Sequence, residues 1–149
     1  MAKGLGAAPT CQCSARTVNF SVTIPAEKSA IEPVVQQVLH FAEPLLPGYK
    51  AKHLEIDLAL QEALANAVVH GCKADSNLQV KCWASYAPDK GLLVVISDPG
   101  PGFILADVPD PMQEANLQFD HGRGVFLIYK LMDEVHFNKN GSEVHLVKY

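Results

Sequence analysis

Between Val18 and Ile24 apolar and polar side chains alternate strictly. Val18, Phe20, Val22 and Ile24 share one side, and Asn19, Ser21 and Thr23 the other. A period of two predicts a strand over 17–24 with one buried face. The period then lengthens: Ile31, Val34, Val35, Val38, Leu39 and Phe41 fall on one side of a helix over 29–46. Pro33 is tolerable there only in the first turn, and Pro47-Gly48 is the stop signal. A second helix is expected over 52–70, with Ile56, Ala59, Leu60, Ala63, Leu64, Ala67 and Val68 as its core face and Gly71 as its end. Two strands follow, over 78–86 and 91–97, joined by a turn at Ala87-Pro88-Asp89-Lys90. Leu92 to Ile96 is apolar at every position, which predicts burial on both faces of that strand.

Residues 99–121 are rich in Pro, Asp and Gly with weak periodicity, and a loop of that length in a small domain is usually functional. A third helix is expected over 124–133. Strands over 134–138 and 143–148 then pair across Asn140-Gly141, a strong hairpin signal. The order β-α-α-β-β-loop-α-β-β predicts an α+β, two-layer α/β sandwich, its sheet mixed but mostly antiparallel and its helices on one face. Residues 1–14 are small and polar and read as a flexible N-terminal tail, leaving 15–149 as one domain.

Composition narrows the function more than the fold. A chain of 149 residues, 48% hydrophobic and 19% charged, builds one folded domain with a real core and not a disordered tail. Its net charge of −4 lacks the basic face of a general nucleic-acid binder. No apolar run approaches the ~20 residues that span a bilayer. Cys11-Gln12-Cys13 is a lone pair, and Cys72 and Cys82 stand apart, so reduced thiols of a cytoplasmic protein fit better than a zinc site. The six histidines show no metal-binding spacing.

The chemistry gathers in three places. Glu62 and Asn66 lie four apart inside Glu62-Ala63-Leu64-Ala65-Asn66-Ala67-Val68-Val69-His70-Gly71, hence on one face of a helix. A carboxylate and a carboxamide on a largely apolar helix are costly to bury without a partner, and oxygen-ligated Mg²⁺ with a phosphate is one such partner. Downstream come Asp98-Pro99-Gly100-Pro101-Gly102 and Gly122-Arg123-Gly124. Read singly, each has a plain alternative: a solvated helix face, a strand-ending turn, a helix start. A glycine-led helix N-terminus is also a natural anion site. The order of the three suggests a nucleotide site, while a P-loop and a dinucleotide fingerprint are both missing.

This arrangement resembles the GHKL (Bergerat-fold) ATPase superfamily, which includes gyrase and the histidine kinases. Glu62-x-x-x-Asn66 through His70-Gly71 matches its N-box, Asp98-x-Gly100-x-Gly102 its first glycine box, and Gly122-Arg123-Gly124-Val125-Phe126-Leu127-Ile128 its second. Within it, Leu58 to Ala67 and Gly122 through Val135 are most similar to the bacterial anti-sigma factor serine/threonine-protein kinases. The resemblance implies a Bergerat ATPase fold using ATP and Mg²⁺. Asn66 would ligate the metal, and Glu62 would be the general base toward a serine hydroxyl. Asp98 would accept a hydrogen bond from the adenine amino group. Gly100 and Gly102 would let the backbone approach the nucleotide. Gly122 and Gly124 would cradle phosphate, with Arg123 either adding a contact or standing in solvent, and 103–121 would form an ATP lid. The implied partners are a sigma factor and an anti-sigma factor antagonist, with no direct nucleic acid and no membrane, and the implied assembly is a homodimer in the cytoplasm. A second implied role is a nucleotide-gated binding module of the same fold without kinase activity.

Overall fold

The structure, a computed structural model, describes residues 16–102 and 120–149, without the side chains of 120–123 and 139. The elements are β1 (Val18–Pro25), a 3₁₀ turn (Lys28–Ala30), α1 (Ile31–Ala42), α2 (Tyr49–Ala65) continued by a π-helical turn (Asn66–Gly71), β2 (Gln79–Ala87), β3 (Gly91–Ser97), α3 (Asp120–Leu131), β4 (Glu134–Asn138), a second 3₁₀ turn (Lys139–Gly141) and β5 (Glu143–Lys148). The N-terminal tail, Cys11, Cys13 and nearly all of the expected lid lie outside the described residues.

The five strands form one sheet in the order β1-β2-β3-β5-β4. All four pairs are antiparallel, where the sequence predicted a mixed but mostly antiparallel sheet. Register follows from alternation. Val22 faces Cys82, Cys82 faces Ile96 and Ile96 faces Val144, so the apolar positions of neighbouring strands fall on one side. That side meets Val34, Val35 and Val38 of α1, Ile56, Leu60 and Leu64 of α2 and Ile128 of α3, all fully buried. The result is an α+β two-layer sandwich. Burial of β3 is one-sided: Leu92, Val94 and Ile96 are enclosed, while Leu93 and Val95 are only half-buried on the opposite face, beside exposed Trp83. The expectation of burial on both faces fails because all three helices pack on one side of the sheet.

The helix ends differ from the expected ones for local reasons. α1 stops at Ala42 rather than 46, since Pro44 has no N–H to continue the ladder; the N–H groups of Leu45 and Leu46 both turn back to the carbonyl of Ala42. α2 begins at Tyr49, directly after Gly48, which takes a left-handed φ of 70°. Its continuation is not α-helical to His70. From Asn66 the turn widens, and the Cys72 N–H donates to the Ala67 carbonyl, five residues back, at 2.9 Å. α3 begins at Asp120, four residues before the expected start, so both glycines lie inside it. Its far end is pinned: buried Lys148 donates to the Leu131 carbonyl at 2.7 Å and pairs with Glu55 of α2. Among the described residues no helix is long and apolar enough to cross a membrane.

Candidate functional site

α2 and α3 run side by side, and the sheet edge beneath them ends in two turns. Between these parts lies a cavity with an apolar floor of Ile96, Val125, Ile128, Phe137 and Val144 and a polar rim of Asn66, His70, Asp98 and Ser142. A flat apolar slot with a few placed polar groups is the usual form of a small-ligand site.

One end of the cavity is built around Asp98, just past β3. Its N–H donates to the Ser142 carbonyl at 2.9 Å, and its Oδ1 accepts from the Gly100 N–H at 2.8 Å. Burial raises the carboxyl pKa above its ordinary value of 3.8, and the Gly100 bond partly opposes this. The surroundings leave no space for side chains. A methyl on Gly71 would overlap the Asp98 carboxyl, and one on Gly100 would overlap the Gly71 carbonyl oxygen. A methyl on Gly102, which has a left-handed φ of 73°, would likewise overlap the Asn140 carbonyl oxygen. The π-helical turn, the Asp98–Gly102 segment and the β4–β5 turn are thus locked through backbone contacts. Cys72 is buried behind this corner, and its thiol pKa is raised by burial and then by the charges of Asp98 and Asp75.

The other end is formed by α2 against α3. Glu62 and Asn66 lie one turn apart on the α2 face that α3 covers. Gly124 is buried at the crossing, and a methyl there would stand 2.7 Å from Glu62 Oε2 and 3.5 Å from Asn66 Oδ1. The Asn66 Nδ2 is buried and has no hydrogen-bond partner among the described residues. Buried amides are normally satisfied, so an unpaired one at a cavity wall marks a place where a ligand completes the bonding. A carboxamide turned about its last bond presents oxygen instead of nitrogen. That oxygen is a hard donor of the kind that suits Mg²⁺. The residues present therefore fit the metal.

The structure brings Asn66, Asp98 and Gly102 onto one cavity, with Gly100 bonded to Asp98 and Glu62 one helical turn behind Asn66. Gly122 lies in the first turn of α3, where backbone N–H groups have no intrahelical acceptor. The N–H of Gly124 is already within the ladder, so its contribution is the space it leaves. The side chain of Arg123 is outside the described residues. Sequence reasoning missed Ser142, Gly141 and Phe137, reading Asn140-Gly141 as a hairpin turn only. The alternation of β4 and β5 carried a signal, since Phe137 and Val144 face each other across the pair and share the cavity floor.

Residues 24–148 match the family model described as the histidine kinase-like ATPase domain. Serine-protein kinase RsbW of Bacillus licheniformis is 32% identical over 111 residues, covering 68% of each chain. Serine-protein kinase RsbW of Staphylococcus aureus strain JH9 is 32% identical over 100 residues, and there the match covers 62% of each chain, under two thirds of that relative's length.

Proposed function

The chain belongs to the histidine kinase-like ATPase domain family, and on that premise we propose that it is a cytoplasmic, Mg-ATP-dependent serine protein kinase of the anti-sigma type. The observation that carries this reading is one cavity that joins an enclosed carboxyl, Asp98, to the Asn66 amide, which has no partner among the described residues, with the Glu62 carboxylate one helical turn behind that amide. A nucleotide with a polar-edged flat base and a charged tail fits between those two chemistries.

Asp98, in its ionised form, accepts a hydrogen bond from the exocyclic amino group of adenine and so distinguishes it from guanine, which has an oxygen at that position. The apolar floor covers the face of the base. Asn66 would hold Mg²⁺, which would supply positive charge against the negative charge that develops on phosphoryl transfer. The Gly122 N–H, at the start of α3, points its unshared donor toward phosphate oxygens, and the helix dipole favours negative charge there. Glu62 takes the proton from the incoming serine hydroxyl. The serine oxygen then bonds to the γ-phosphorus as the bond to the bridging oxygen breaks and ADP leaves. The acceptor is a serine of an anti-sigma factor antagonist, and a sigma factor is the alternative partner of the homodimer. Both partners and the dimer rest on the resemblance to the anti-sigma kinases.

Calorimetry with and without Mg²⁺, on wild type and Asp98→Asn, tests the site. Mg-dependent ATP binding that Asp98→Asn weakens by about 10- to 100-fold supports it. No binding by the wild type overturns it and leaves a protein-binding module on the same fold.

A further inference from the structure

We infer that Gly124 is a positioning residue: the side chain it lacks is the space in which the Glu62 carboxylate is held. This rests on the assignment of Glu62 as the base, and it accounts for an otherwise unfavourable choice. Gly124 is the fifth residue of α3, a buried position inside a helix, where glycine is among the poorest residues. No left-handed backbone calls for glycine there, since its φ lies outside the positive range. Anion binding does not call for it either, because its N–H is taken up by the helix.

The neighbours show what a side chain would meet. The nearest atom to a methyl at 124 is Glu62 Oε2, at 2.7 Å, well inside normal contact. The next two are the amide ends of Asn66, at 3.5 and 3.7 Å, which is ordinary contact. An alanine would therefore fit the helix and leave Asn66 in place, but would displace the end of one flexible side chain. Glu62 is half-buried and the atom met is the far end of a flexible side chain, so the fold would absorb the change and the carboxylate would not stay where it is. A base must stand within about 3 Å of the proton it takes, and small displacements of aligned groups are costly in rate. Helix stability and the position of Glu62 therefore make opposite demands at position 124.

The test is a melting cycle on the full chain: wild type, Gly124→Ala, Glu62→Ala and the double variant. In the Glu62→Ala background, Gly124→Ala should raise the melting temperature by about 2–4 °C. With Glu62 present the gain should be smaller or absent, because the methyl then displaces the carboxylate. Equal shifts in both backgrounds, or a loss of folding in both, overturn the inference whatever the activity. Phosphate release from Mg-ATP supplies the second reading. Gly124→Ala should lower turnover about tenfold or more while Mg-ATP affinity moves less than about threefold. Glu62→Asp, one methylene shorter, should recover part of that turnover in the Gly124→Ala background. Unchanged turnover in Gly124→Ala overturns the catalytic half. A wild type that binds no Mg-ATP overturns the kinase reading and that same half, while the melting cycle still decides whether position 124 sets the carboxylate.

Discussion

The two ends of the cavity are made on opposite principles. Around Asp98 the backbone is already tied down: one carboxyl oxygen receives the Gly100 N–H, the Asp98 N–H reaches the Ser142 carbonyl, and three glycines let separate segments touch. The shape of that end is set before any ligand arrives. Between α2 and α3 the reverse holds. A buried amide nitrogen has no partner among the described residues, and a carboxylate rests where a side chain at position 124 would stand. The first end can recognise through a fixed shape, whereas the second keeps bonding capacity in reserve for groups that come and go. This division suits a protein that must hold one end of a molecule while chemistry proceeds at the other.

Four changes would break or sharpen that contrast. Glu62→Gln should act at the unfinished end alone, lowering phosphoryl transfer by about 10²- to 10⁴-fold with ATP affinity retained; unchanged transfer to a serine partner would remove Glu62 as the base. Gly100→Ala should act at the finished end through backbone, which cannot step aside. Nucleotide affinity should fall by about 100-fold, accompanied by a lower melting temperature, since overpacking costs ~1–3 kcal/mol; a variant that melts and binds like wild type would show that the corner is not locked. Asn66→Ala removes an unpaired amide, so the apoprotein should melt at or above the wild-type temperature while Mg-dependent ATP affinity falls about tenfold or more. A clear loss of apoprotein stability would mean that the amide is already satisfied.

The smallest expected effect is on pH. Asp98 has a folded pKa above its ordinary 3.8, so the folded state binds its proton more tightly than the unfolded chain does. Its contribution to stability is therefore greatest below 3.8 and falls as pH rises through the window between that value and the raised one. Asp98→Asn should flatten this slope, and at neutral pH it should melt no lower than wild type even as binding is weakened. Chemical unfolding at a series of pH values would check this, and an identical slope in both proteins would contradict it.

Strands and helix cores were readable from the sequence because they obey simple periods. The alternation from Val18 to Ile24 and the hairpin at Asn140-Gly141 are local and nearly unambiguous. Both ends of β3, β4 and β5 fall where the pattern puts them. What was not readable is what depends on a distant neighbour. Glycines at 122 and 124 argued for a helix starting at Gly124, yet α3 begins at Asp120 and includes both. Ala67-Val68-Val69-His70 continues the α-helical pattern without a sign of the wider turn. Ser142 looked like the residue after a hairpin, and only the sheet order brings it beside Asp98.

The wider turn at Asn66–Gly71 has a consequence for how this chain tolerates change. Along α2, substitutions should be accepted and rejected with a beat of about 3.6 residues, the rhythm of a helix with one face inward. Past Ala65 that beat slips. A mutational profile would run in phase through Glu62 and then fall out of step, with buried Cys72 intolerant at a place where the earlier rhythm would not put it.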